Sequence, residues 1–281
     1  EGDDLIVVIY DDGSIRNLLE NGSKFKSSPS IVDINGDIII TAGSYDDMMH
    51  AVNLNGDILF QIDTGSNVKS SSSFVDIDGD VYAFFGSDDE FVYAVDMNGN
   101  ALEGWPVEIG EDVEDSVLFT DFDNDGYPEV VIVSSDKVYV YRLDGSLYDR
   151  FPVVYDFPVT GTPSIYDFDD DGDFEILVGS SKGLIAYDVT DLGDFGYAST
   201  TYWSQHRAGN QRRGSLKIES GDCSNPLKGD LNCDTLVDVA DIITVVGLIL
   251  GFQNGDSYKN WSADLNEDDE INISDITLIV N

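Results

Sequence analysis

Four stretches of this 281-residue chain carry the same pattern in the same order, and that repetition constrains the fold more than any other feature. They are SSPSIVDINGDIIITAGSYDDMMHAVNLNGDILF (27–60), SSSFVDIDGDVYAFFGSDDEFVYAVDMNGNALEGWPV (71–107), DSVLFTDFDNDGYPEVVIVSSDKVYVYRLDGSLYDRFPV (115–153) and GTPSIYDFDDDGDFEILVGSSKGLIAYDV (161–189). Their leading aspartates, Asp33, Asp76, Asp121 and Asp167, stand 43, 45 and 46 residues apart. Within each unit, short runs of Val, Ile, Tyr and Phe alternate with clusters of Gly, Asp, Asn and Ser, the pattern of successive antiparallel strands. Asn55-Gly56, Asn98-Gly99 and Asp144-Gly145 recur at one place in the repeat, with Asp12-Gly13 one unit earlier. Such pairs supply the positive φ that a tight hairpin requires.

A unit of about 45 residues with four strands has the size of one β-propeller blade. The expected fold class is therefore mainly β: four recognisable four-stranded blades, an N-terminal half blade over 5–20, and membership of a larger ring. Either more blades lie upstream of Glu1 or the N-terminal strands complete the last blade, and outer-strand candidates near Tyr197 to Trp203 favour the former. The blades are expected to occupy 1–203, a ring-closing segment and linker 204–228, and a second domain 229–281. The linker region holds a basic knot, His206, Arg207, Arg212, Arg213 and Lys217, best read as pairing with acidic blade surfaces.

In the third repeat, DFDNDGYPE sets Asp121, Asp123 and Asp125 on alternate positions, followed by Gly126, the carbonyl of Tyr127, and Glu129. Calcium takes six to eight oxygens, and a loop curling round it points alternate positions inward. The fourth repeat offers the same set with Asp167, Asp169, Asp171, the carbonyl of Asp173, and Glu175. One calcium ion is expected in each loop. The first two repeats have only DINGD and DIDGD, two positions shorter, and read as plain turns.

The chain ends in two dodecamers, DLNCDTLVDVAD (230–241) and DLNEDDEINISD (264–275), displaced by 34 residues. By EF-hand geometry the first loop's ligands are Asp230, Asn232, Asp234, the carbonyl of Leu236, Asp238 and Asp241. The second's are Asp264, Asn266, Asp268, the carbonyl of Glu270, Asn272 and Asp275, so 229–281 is expected to hold two calcium ions. Position 6, usually glycine, is Thr235 and Asp269. Val237 and Ile271 at position 8 are expected to join the loops through a strand-like contact. Apolar residues at Ile242, Val245, Val246, Ile249 and Leu250 predict a helix with that face buried, and a second helix is expected to start at Ser274 or Asp275. Cys223 and Cys233, ten positions apart, form a disulfide in an oxidising compartment and remain thiols in a reducing one.

Against 55 Asp and Glu stand 14 Lys and Arg, a formal charge of −41. That charge opposes binding to nucleic acid and to anionic membranes, and calls for bound divalent cations, high ambient salt or a cationic partner. A saline habitat is the plain alternative. No stretch approaches about 18 consecutive apolar residues, so no membrane insertion is expected. Glu1 does not open a signal peptide, and the start reads as processed or truncated.

The repeats resemble the FG-GAP or VCBS family of propeller repeats through the S-P-x-h-x-D-h-D-x-D-G pattern (h, apolar) and the later Tyr-Ala-x-Asp and Trp-Pro elements, over about residues 5 to 200. WSQHRAGNQRRG (203–214) is similar to a segment found beside such propellers. This resemblance implies calcium-stabilised extracellular blades that bind proteins or glycans, with polysaccharide lyases as some members. The paired loops, with Asp at position 12, resemble a type I dockerin over about 229–281. This second resemblance implies a module that folds on calcium and docks onto a cohesin-like domain, with Val239, Ala240, Ile273 and Ser274 at the contact positions and the helix faces beyond them.

The expected function is thus a secreted or cell-surface calcium-binding platform, its propeller carrying a glycan or protein ligand and its dockerin-like module tethering it to a cohesin-bearing scaffold. The alternatives are a polysaccharide-degrading lyase or hydrolase of a cellulosome-like system, or a surface-layer or filament subunit. Only His50 and His206 are histidines, and no G-x-S-x-G or zinc-spaced cluster is present, so no catalytic residue is assigned within the chain. A catalytic domain upstream of Glu1 is the remaining enzymatic route. His50, in a strand, reads as a packing residue.

Overall fold

The computed structural model describes residues 4–77, 79–123, 125–159, 161–168, 174–189 and 214–218, and in the C-terminal part 228–229, 231, 237, 242, 245–246, 248–249, 262–266, 268 and 270–279. The chain divides into two compact units, one comprising Glu1–Asp33 and Asp37–Leu216, the other Ile34–Gly36 and Lys217–Asn281.

The repeats fold as the alternation of apolar and turn residues predicts. β3 (Ser30–Ile34), β4 (Asp37–Gly43), β5 (Met48–Asn53) and β6 (Ile58–Asp63) form one antiparallel meander. β7 (Ser73–Ile77), β8 (Asp80–Gly86), β9 (Phe91–Asp96) and β10 (Val107–Glu108) form the next, and β11 (Leu118–Thr120), β12 (Glu129–Ser134), β13 (Lys137–Tyr141) and β14 (Val153–Val154) a third. Four strands in sequence order per repeat is the blade of a propeller. β1 (Leu5–Ile9) and β2 (Ile15–Glu20) make a separate two-stranded sheet, the expected half blade.

Two departures concern the end of the repeats. The fourth sheet has three strands among the described residues, β15 (Ser164–Tyr166), β16 (Glu175–Ser180) and β17 (Gly183–Asp188), instead of the expected four. Its outer-strand candidates at 197–203, like His206, Arg207, Arg212, Arg213 and both cysteines, lie outside the described residues. The expected linker contains a strand: β18 (Ser215–Ile218) joins the sheet of β3, and the Ile31 N–H donates to the Gly214 carbonyl at 2.9 Å. The run Ser-Leu-Lys-Ile has the alternation of a strand, but it is too short for periodicity to carry the assignment unaided.

The hairpins follow from their turn residues. Gly56, Gly99 and Gly145 have φ of +83°, +83° and +78°, and each N–H returns to the carbonyl three residues back. In the first repeat, Asn35 and Gly36 both take positive φ (56° and 90°), a two-residue turn between β3 and β4. This is the plain turn expected there.

Each sheet is locked to the connector that follows it. The N–H groups of Val68, Val113 and Val159 donate to the carbonyls of Ser44, Ser87 and Ser135 at 3.0, 3.1 and 2.8 Å. Glycine makes the first two seams close: a Cβ on Gly43 would stand 2.5 Å from Val68 Cγ1, and one on Gly86 2.3 Å from Val113 Cγ1. Ser134 holds the corresponding place in the third sheet and donates its hydroxyl to the Asp112 carbonyl at 2.8 Å. Phe84, Phe119 and Trp105 meet edge to face, centroids 4.9–5.0 Å apart, and the Trp105 indole donates to the Leu143 carbonyl at 2.8 Å. His50 is fully buried, its Nε2 2.9 Å from Asp46 and its Nδ1 2.9 Å from Gln61 Nε2. Tyr93 and Tyr139 occupy its place in the next two sheets and donate to Asp89 and to the Ile109 carbonyl. His50 is thus a satisfied structural residue at this position.

In the C-terminal unit, Leu231, Val245 and Ala263 form a buried cluster, against which Leu248, Ile271 and Ile276 pack. The expected helical face needs correction: Val245 is buried, but Val246 and Ile249 are 36% and 37% exposed, while Leu248 turns inward. Leu250 lies outside the described residues. Nor do Val237 and Ile271 form a strand-like contact. Both lie outside any strand or bridge, Val237 being 39% exposed and Ile271 packed on the cluster. The last helix, α1 (Ile273–Ile279), starts one residue before the expected Ser274. Among the described residues no helix is long and apolar enough to cross a membrane.

Candidate metal sites

The acidic loop of the third sheet bulges from a paired base, Thr120 opposite Glu129, so the ladder itself brings the first and last acidic residues together. Asp121 and Glu129 are 5% and 3% exposed and Asp123 is half-buried; one carboxylate oxygen from each lies within 4.8 Å of the others. The backbone organises this group. Asp121 Oδ1 and Oδ2 accept the N–H groups of Asp125 (3.1 Å) and Gly126 (3.0 Å), and Glu129 Oε2 accepts that of Phe122 (2.8 Å).

Asp125 and Tyr127 are exposed, and Asp125 Oδ1 accepts the Tyr127 N–H at 2.8 Å as in a local Asx turn. The structure thus gathers three of the carboxylates expected at this loop and leaves Asp125 outside the group. Burial, with the negative charges of Asp123, Asp121 and Asp125 added, pushes the Glu129 carboxyl up to about 8, against the bond from Phe122. Asp121 and Asp123 are raised in the same direction, again chiefly by burial. Asp123 Oδ1 is buried without a hydrogen-bond partner. Two buried carboxyl groups and a half-buried one, acceptors only and mutually repelling once ionised, fit a hard cation with oxygen ligands.

The fourth sheet repeats the frame. Tyr166 pairs with Glu175, which is 6% exposed, and Glu175 Oε2 accepts the Phe168 N–H at 2.6 Å. Asp167 is half-buried; Asp169, Asp171 and Asp173 lie outside the described residues.

Of the first C-terminal loop, Asp230, Asn232, Asp234, Leu236, Asp238, Val239, Ala240 and Asp241 lie outside the described residues, as does Asp269 of the second. In the second loop Asp275 is fully buried and collects the N–H groups of Leu265 (2.9 Å), Asn266 (3.2 Å) and Asn272 (2.9 Å). Asn272 Oδ1 in turn accepts the Ser274 N–H at 2.9 Å. Asn272 and Asp275 therefore form a reciprocal capping box at the start of α1. Asp264 Oδ1 and Asn266 Oδ1 both accept the Asp268 N–H, at 3.1 and 3.0 Å, and Asp268 Oδ1 that of Glu270 at 2.9 Å. Among the described residues, these carboxylates are not in the triads that converge within 4.8 Å. Ile273 and Ser274 are exposed, Ile273 at 73%. Replacing Asn272 by Ala is expected to cost about 1 kcal/mol of stability in this unit, read from its helical circular dichroism melt.

A second convergent triad, Asp88, Asp112 and Glu114, escaped sequence reading because its members come from two loops with no common spacing. Lys69 pairs with Asp88 at 2.9 Å and with Glu114. Aligning the connectors at 66–71 and 111–116 sets Lys69 in register with Glu114, but Asp88 lies in neither.

Residues 121–178, which span both acidic blade loops, match the family model of the FG-GAP-like repeat. No curated protein matches the chain. Among solved structures, BamB from Moraxella catarrhalis is similar at 14% identity and a TM-score of 0.46, over 70% of this chain and 60% of that one. A protein of unknown function from Bacteroides caccae is similar at 15% identity and TM-score 0.41, over 67% and 69%. The computationally designed Ika4 protein is similar at 18% identity and TM-score 0.40, over 59% and 93%.

Proposed function

We propose that this chain is a calcium-stabilised propeller platform of the secreted or cell-surface kind, tethered through its C-terminal unit to a cohesin-like partner. The observation that carries the calcium reading is the buried convergence of Asp121, Asp123 and Glu129 with one oxygen of Asp123 left without a partner. The match of 121–178 to the FG-GAP-like repeat supports it, since such repeats often hold calcium in loops of this composition. Ligands at this site are Asp121, Asp123 and Glu129, with Asp167 and Glu175 at the corresponding place in the next sheet. The ring, its closure and the ligand on its surface belong to the same reading.

The tether rests on the duplicated dodecamers and on the exposure of Ile273 and Ser274 at the carried-over contact positions. Exposed Val246 and Ile249 offer further apolar surface in the same unit. Calorimetric titration of calcium into chelator-stripped protein is expected to give saturable binding that Asp121→Asn weakens by at least about tenfold. Unchanged affinity in that variant would remove the blade site. Asp230→Asn with Asp264→Asn is expected to abolish capture by immobilised cohesin domains, and retained capture would remove the tether.

A further inference from the structure

Residues directly opposite each other in an antiparallel pair share a face of the sheet, and so do alternate residues along one strand. The registers of the third and fourth sheets therefore assign positions to faces, and they match. Thr120 is paired with Glu129 as Tyr166 is with Glu175, and Val133 with Val138 as Gly179 is with Leu184. In the third sheet this face is shut, Thr120 and Val138 being 1% and 0% exposed. In the fourth it stands open, with Tyr166 and Leu184 at 56% and 70%. Phe168 shows the same loss. Glu175 holds its N–H as Glu129 holds that of Phe122, but Phe122 crosses to Phe174 of the next sheet, whereas Phe168, 51% exposed, meets Tyr166 of its own. The other face of the fourth sheet is covered, Tyr187 meeting Phe151 of the third repeat edge to face at 5.6 Å.

The N-terminal hairpin is the converse case. The Tyr10 N–H donates to the Ser14 carbonyl as that of Asn53 does to Asp57 and that of Arg142 to Ser146. Ile9 is thereby in register with Val52 and Tyr141, and Val7 with His50 and Tyr139. All four equivalents are buried, yet Ile9 and Val7 are 68% and 41% exposed. The other face of the hairpin, through Ile6 and Leu18, packs on Ile40, Ala42 and Val52 of the first sheet. Likewise Phe119, on the face of Tyr141, takes Phe84 of the second sheet. Successive sheets thus join two kinds of face, and one of each is left over, open in the same chain.

We infer that the open face of the fourth sheet receives the β1–β2 face of a second copy of this chain, so that copies join head to tail through the junction already used between successive sheets. Each copy carries both halves of that junction, and the described residues do not bring its own two halves together. The formal charge of −41 repels a second copy at long range, but at physiological ionic strength the repulsion is screened beyond about 8 Å. Tyr166, Phe168, Leu184, Val7 and Ile9 are all uncharged. Because the two faces differ, the contact is heterologous and builds a ring or an open series. The inference rests on the register of the faces and is independent of calcium and of the tether.

The test is sedimentation velocity of the full chain over a concentration series, with calcium and physiological salt present. Growth beyond the monomer by mass action is expected. Leu184→Glu and Ile9→Glu alter exposed positions, and each is checked for the parent's circular dichroism melt. Each is expected to weaken self-association at least about tenfold, since each puts a charge into an apolar junction. Mixed one to one, the two variants are expected to form a heterodimer, because the first keeps an intact β1–β2 face and the second an intact fourth sheet. A parent that stays monomeric at every concentration would overturn the inference and assign the open faces to a different occupant. A mixture that stays monomeric, or either variant associating as the parent does, would overturn it too.

Discussion

With calcium removed by EGTA, the melting temperature of the β-sheet unit is expected to fall by on the order of 5–10 °C as pH is raised from about 5 to about 8.5. The cause is the buried triad of the third loop. The folded form holds the Glu129 proton up to about pH 8, whereas an ordinary glutamate releases it near 4.5. Its contribution to stability is therefore complete below pH 4.5 and is lost as pH climbs through 8. Asp121 and Asp123, raised in the same direction, add to the loss. Calcium should act oppositely: it needs the carboxylates deprotonated, so its affinity rises across the same window and its binding releases protons. Glu129→Gln separates the two effects. In EGTA near pH 8 the variant should melt above the parent, because a buried charge is gone, and it should lose the calcium response. A variant melting below the parent there would rule out charge burial as the cause.

Gly86→Ala is expected to lower stability by about 3 kcal/mol, seen as a lower melting temperature and urea midpoint at unchanged m-value. The added Cβ would lie 2.3 Å from Val113 Cγ1 and 2.5 Å from the Val113 carbonyl oxygen, so the clash involves backbone that also holds the seam bond to Ser87. Gly43→Ala should act alike at the preceding seam, where the contacts are with Val68. Ser134 shows the limit of the rule: the third sheet carries a side chain at this place, its hydroxyl donating to the Asp112 carbonyl, and still keeps the Val159–Ser135 bond.

Turn chemistry made the hairpins legible, since Asn-Gly and Asp-Gly state their φ angles locally. The repeat period likewise gave the strand order within each sheet. The seam contacts were not legible. Nothing in the local sequence of Gly43 or Gly86 says that a valine about 25 residues later will lie against it; that follows only once the sheets are placed side by side. The second C-terminal loop shows another limit. Asn-x-x-Asp at 272–275 fits the spacing of ion ligands, but the same two side chains also complete a capping box, and one pattern serves both geometries. Asp125 was counted with its neighbours by alternation, yet its side chain is used by the next turn instead. The helical spacing of Val246 and Ile249 predicts that they face inward. The buried stripe is narrower than the apolar set, and Leu248 takes their place.

The seams described by Val68, Val113 and Val159 also decide how the molecule responds to pulling. They lie in series along the chain, each holding one sheet to its own following connector. Tension applied to the repeats therefore meets separate latches and is not shared across one continuous sheet. Once a latch and the ring contacts beside it, such as Phe84 on Phe119, are released, a repeat of 43 to 46 residues is freed. At about 3.4 Å per extended residue, each freed repeat lengthens the chain by roughly 150 Å. A chain of this build extends in discrete steps and keeps the remaining sheets folded.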